Sequence, residues 1–100
     1  MRVLGVCRQV LANDEVLPAS LELARDVAAN AAPLAVAASK QLLWGTWGRT
    51  RAEVEQLETR LHRRLMAHPD AREGVMAYLE RRPADWRGSP SEEWPDRTDG

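Results

Sequence analysis

PDAREGVMAYLERRPADW, residues 69–86, carries a start, a face expected to be buried and a stop for one helix. Asp70 is placed to cap that helix by accepting a hydrogen bond from a first-turn amide, and Glu73, three residues on, is placed to complete a capping box. Ala71, Val75, Tyr78, Leu79 and Arg82 follow at intervals of three and four and share one face, on which only the guanidinium and the phenol need polar partners. Pro83 disfavours helical backbone in its predecessor, and Arg81 and Arg82 stand where the negative end of the helix dipole favours cations.

Upstream, Val54, Leu57, Leu61 and Leu65 make one narrow apolar stripe between Arg51 and Ala67, and Glu53, Glu55, Glu58, Arg60, Arg63 and Arg64 occupy the remainder. This pattern predicts an amphipathic helix with one buried side. Pro33 to Trp44 reads as a second helix, with proline at its first position and small residues on every side that permit close packing. A third runs from about residue 15 to 30, with Asn13 and Asp14 as cap residues, Asn30 as its C-cap, and Pro18 tolerable only in the first turn. Gly45 and Gly48 bracket Trp47 in a loop or loosened helix end, and Trp44 and Trp47 read as core or interface residues. Val6 to Leu11 is the one credible strand. A single strand leaves its ladder groups unpaired, so this chain is not expected to be a complete sheet protein.

The resulting fold class is mainly α: about four helices with one short N-terminal strand. Three spans follow: 1–13 as strand and turn, 14–86 as the helical segment, and 87–100 as a polar tail, expected to be mobile, with Trp94 its only large apolar group.

One hundred residues with a formal net charge of −1 allow one small core and disfavour nucleic acid or an anionic membrane as partner, since both demand a basic excess. Five aromatic residues, four of them Trp and none Phe, are few for a free-standing core, which implies that apolar surface is supplied from elsewhere. Cys7 is the only cysteine, which excludes an internal disulfide or cysteine metal cluster and fits a reducing cytoplasm. No apolar run reaches the roughly 20 residues of a membrane span, and no signal-peptide pattern opens the chain.

A complete catalytic set is absent. His62 and His68 are six apart and so are not stacked as metal ligands on one helix face; they read as surface or capping histidines. Ser39 beside Lys40 lacks the spacing of a catalytic pair, the glycines form no phosphate cradle, and Glu73 reads as a capping partner rather than a general acid.

The ordered set D-A-R-E-G, A-Y-L-E-R-R-P and a closing Trp resembles the C-terminal signature of the enoyl-CoA hydratase/isomerase (crotonase) family. Gly5, Val6 and Val10, the N-A-A-P-L-A entry at residues 30–35 and Lys40 match the family in kind, so the resemblance covers nearly everything from Gly5 to Trp86. It implies the helical C-terminal part of an α/β fold whose repeated ββα core, with the oxyanion hole and catalytic carboxylates, is not in these residues. It also implies an acyl-CoA thioester as substrate, no further cofactor, and hydration of an enoyl-CoA double bond or its migration as the parent reaction. No catalytic residue is assigned, and the isolated chain is expected to be inactive. Tyr78 and Arg81 match the aromatic and first basic residue that lie near the adenine and phosphate end of CoA in related enzymes. Stacking and guanidinium–phosphate pairing preserve that chemistry, whereas Lys40 matches only by position. The partners implied are further copies, trimer or hexamer in the family, or a full-length relative. The rival readings are a small helical interaction module burying its stripes against a protein, and a decayed paralogue kept for hetero-oligomers.

Overall fold

A computed structural model describes residues 4–94 of the chain. Five helices run in order: α1 (Asn13–Asn30), α2 (Pro33–Gly45), α3 (Arg51–Met66), α4 (Pro69–Glu80) and the single turn α5 (Pro90–Glu93). α2 packs on α3, α3 on α4, and α5 on α2, whereas α1 joins none of these pairs. The radius of gyration is 16.6 Å, against about 13 Å for a compact chain of this length, in keeping with an α1 that buries no residue. Among the described residues no helix is long and apolar enough to cross a membrane.

The core lies between α2 and α3. Leu34 and Ala38 of α2 are buried together with Trp94, and Leu61 and Leu65 of α3 pack against them. Leu57, 2% exposed, is the most deeply buried residue of the α3 stripe, so the period read from the sequence does point inward. Of the alanines of α2, Ala38 is buried, at 3% exposed. Pro33 opens α2 at its first turn, as expected. Thr50 opens α3 as its cap by accepting the Glu53 amide at 3.2 Å, and its hydroxyl donates to the Glu53 carboxylate at 3.1 Å.

Several expectations are corrected. Residues 6–11 form no strand among the described residues; Val6 and Val10 stay 66% and 65% exposed, because nothing offers a ladder to pair with. Asn13 and Asp14 do not cap α1, since Ala12 holds the cap position with no side-chain bond and both residues already lie in the first turn. Pro18 stands inside α1, beyond the first turn. It deprives the Asp14 carbonyl of its helical partner, which an exposed helix survives because water replaces it. Asn30 is the last helical residue rather than the cap; its amide donates to Asp26 Oδ1 at 2.6 Å, and Ala31 closes the helix through its N–H to the Val27 carbonyl. Trp44 and Trp47 are 71% and 80% exposed, so neither enters the core of this chain. The greatest departure is in the span 87–100. Residues 87–94 fold back as an arm and put Trp94 into the core, while 95–100, like 1–3, lie outside the described residues.

Candidate functional site

α4 starts by a different route from the one its sequence suggests. His68 is the cap: its Nδ1 accepts the Asp70 amide at 3.1 Å, and Pro69 takes the first helical position. The reading of His68 as a capping histidine therefore applies, and that of Asp70 and Glu73 as a capping box does not. With His68 at the cap, the box partner position falls on Ala71 and Glu73 is too far along. Asp70, only 4% exposed, instead accepts two consecutive amides, Arg87 N–H on Oδ1 and Gly88 N–H on Oδ2, each at 2.8 Å.

Glu73 is recruited by the other end of the helix. Its two oxygens take Arg82 Nη1 at 2.6 Å and Nη2 at 3.0 Å, and Oε2 also accepts the Asp85 amide at 2.8 Å. Arg82 additionally donates Nε to Glu80 at 2.6 Å. The Arg82 hydrogen bond, then the Asp85 amide, lower the Glu73 carboxyl from 4.5 to about 2, and the guanidinium is held charged more firmly than usual. A carboxyl depressed on folding contributes stability that is present above its unfolded value and lost as pH falls through the folded one. Unfolding free energy should therefore decline between pH 4.5 and about 2, and Glu73→Gln should flatten that decline in urea melts taken at successive pH values.

Arg81 ends α4 in the left-handed region, φ 54° and ψ 48°, with its N–H on the Ala77 and Tyr78 carbonyls. The Arg82 amide reaches back to Ala77 O at 3.0 Å, which completes a Schellman-type closure. Glycine is the usual occupant of such a position, and a residue with Cβ costs about 1 kcal/mol there. Beyond this turn a groove of about 570 Å³ lies between α4 and the end of α1, with Tyr78, Arg81, Arg82, Asn30 and Trp86 in its walls. The sequence marks Trp86 only as the motif's closing aromatic. In space its Nε1 donates to the Ala29 carbonyl at 2.9 Å, tying the groove to α1. Its ring lies so close over Gly74 that a Cβ there would stand 3.3 Å from Cη2.

Tyr78 and Arg81, the two residues expected to hold ligand, thus line one groove, while Lys40 lies on α2 outside it. The α4 face expected to be buried is not buried within this chain: Val75, Tyr78 and Leu79 are 58%, 81% and 67% exposed, and the buried residues of the helix are Asp70 and Ala77. Arg82 is saturated by Glu73 and Glu80, whereas Arg81 makes no ion pair among the described residues. The groove accordingly offers a ring and an uncompensated guanidinium one helical turn apart, fit for a stacked base and an anion. Among the described residues no three side chains assemble a metal site.

Comparison with known proteins identifies the family of this helical segment. Residues 2–89 match the sequence profile of the family described as Enoyl-CoA hydratase/isomerase, and the chain belongs to that family. It is 34% identical over 88 residues to a carnitinyl-CoA dehydratase of Proteus mirabilis (strain HI4320), covering 84% of this chain and 33% of that protein. The carnitinyl-CoA dehydratase of Proteus sp. (strain LE138) matches to the same extent. The crystal structure of a probable enoyl-CoA hydratase/isomerase from Mycobacterium abscessus superposes with a TM-score of 0.76 at 43% identity, over 79% of this chain and 32% of that one. The chain thus spans about a third of the length of the relatives it matches.

Proposed function

We propose that this chain serves as the helical C-terminal part of a crotonase-type protein acting on acyl-CoA thioesters, with Tyr78 and Arg81 at the adenine and phosphate end of CoA. The observation that carries this reading is Arg81: a bulky cation kept in a left-handed cap position, free of any ion pair among the described residues, in the wall of a groove. Backbone held in a costly region points to use of the side chain. The thioester is the substrate, and no further cofactor is invoked. The described residues supply no catalytic carboxylate arrangement, so the isolated chain is expected to give no turnover of an enoyl-CoA.

Titration of the chain with coenzyme A by calorimetry tests the site. Tyr78→Ala and Arg81→Gly should each weaken binding by roughly tenfold, the scale of one stacking or charge-assisted contact. Arg81→Gly should at the same time raise stability by about 0.5–1 kcal/mol, because glycine relieves the left-handed cap. Binding that both variants leave intact would remove Tyr78 and Arg81 from the site.

The exposed apolar residues Leu17 and Leu21 on α1 and Val75 and Leu79 on α4 support a further element of the proposal, that protein covers these faces. In the crotonase reading the cover is the ββα core or further copies of the chain, in the cytoplasm that the single Cys7 fits. The same faces favour the second reading, an interaction module or paralogue that joins hetero-oligomers. Sedimentation distinguishes covered from free: a monodisperse monomer that melts cooperatively counts against both.

A further inference from the structure

The arm 87–94 is fastened at two ends. At its root, Asp70 holds the amides of Arg87 and Gly88, and Gly88 lies so close to α2 that a Cβ would stand 2.6 Å from Leu34 Cγ. At its far end Trp94 is 6% exposed, donates Nε1 to Gln41 Oε1 at 2.6 Å, and carries the Arg64 guanidinium 4.1 Å over its ring. Arg64 also donates to the Glu93 carbonyl at 2.6 Å, and Glu93 accepts the Ser89 amide and meets His68. The two ends share one contact, since Leu34 touches Gly88 and packs with Trp94. α5 and Trp94 lie beyond residues 2–89, the stretch that matches the family.

We infer that residues 87–94 act as a strap that positions Trp86 as the wall of the groove. Trp86 immediately precedes the Asp70-bound amides, and its indole, which lies over Gly74, makes one hydrogen bond, to the Ala29 carbonyl. α1, which supplies that tether, buries nothing, so the firm end of the indole's support is the strap. Seating Trp94 presses Leu34 against Gly88, keeps the root on Asp70, and thereby holds the indole over Gly74. Asp70 and Trp94 are positioning residues in this scheme. Its ligand consequence rests on the groove being the CoA site; its mechanical consequence does not.

Hydrogen exchange on the ¹⁵N-labelled chain reads the coupling directly, using Arg64→Ala, which removes two exposed contacts of the strap's far end, and Trp94→Phe, which keeps a ring in the core. Both variants should speed exchange of the Trp86 indole N–H and of the Arg87 and Gly88 amides by about tenfold or more, with the amides around Leu57 within about threefold of the parent. Unchanged exchange at residues 86–88 overturns the inference, and so does acceleration that spreads equally through α3. Coenzyme A titrations run beside this: weaker binding in both variants supports positioning, whereas equal affinity despite a loosened Trp86 overturns it. If the parent chain binds no coenzyme A, the functional reading of the groove fails, and the exchange data alone decide the strap.

Discussion

Trp94→Ala is expected to remove about 3–5 kcal/mol from the unfolding free energy, the range for truncating a large buried aromatic. The indole is 6% exposed and is the largest side chain in a core otherwise made by Leu34, Ala38, Leu61 and Leu65. Collapse cannot refill its volume, because the facing residues sit on helices fixed by their own backbone bonds. Smaller losses accompany it. The hydrogen bond to Gln41 disappears, and so does the Arg64 contact, worth about 0.5–1 kcal/mol at an exposed site. Against a typical total of about 5–15 kcal/mol, in a chain whose α1 buries nothing, that loss should displace the urea midpoint far towards zero. Far-UV circular dichroism is the measurement, since the substitution itself alters tryptophan emission. Trp44→Ala is the control: at 71% exposed, it should cost no more than about 0.5 kcal/mol. Equal losses at the two positions would show that Trp94 is not a core residue.

What the sequence made legible follows from what is local. The α3 stripe, Pro33 at the start of α2 and the end of α4 before Pro83 all depend on residues within one or two turns of each other. Each was readable from spacing alone. The Thr50 cap is equally local, its partner Glu53 lying three residues on, whereas the D-x-x-E of residues 70–73 has the right letters in the wrong register. Pro69 at the first helical position identifies His68 as the cap.

The unread features depend on distance along the chain. Asp70 meets partners 17 and 18 residues away, Glu73 meets Arg82 nine residues away, and Trp94 meets Gln41 across 53. A polar arm punctuated by Pro and Gly gives no local sign that its one tryptophan is an anchor. The strand at residues 6–11 fails for the converse reason, because β-propensity needs a neighbour to be realised. The groove was partly legible: the family resemblance brought Tyr78 and Arg81 forward, and the structure puts both in one cleft. It did not reveal that Arg81 is left-handed, or that Trp86 is the wall facing Gly74.

Asp70→Ala should cost about 2–4 kcal/mol, because hydrogen bonds to a charged acceptor contribute about 1.5–3 kcal/mol each and two are lost together. The carboxylate also lies in the first turn of α4, where the helix dipole favours a negative charge by about 0.3–1 kcal/mol. Water recovers part of the loss at Arg87, an exposed residue, while Gly88 is held against Leu34 and recovers less. Asp70→Asn discriminates geometry from charge. Its one oxygen serves one amide, but its own N–H then faces the second amide, donor against donor, so the variant should regain less than half of the loss. Asp85→Ala supplies the comparison: that carboxylate is 76% exposed and 3.5 Å from Arg87, and its removal should stay within about 0.5 kcal/mol. If urea melts place Asp70→Ala beside Asp85→Ala, the root of the arm is not held by Asp70. A large loss that Asn repairs in full would assign the effect to the shape of the side chain rather than to its paired acceptors.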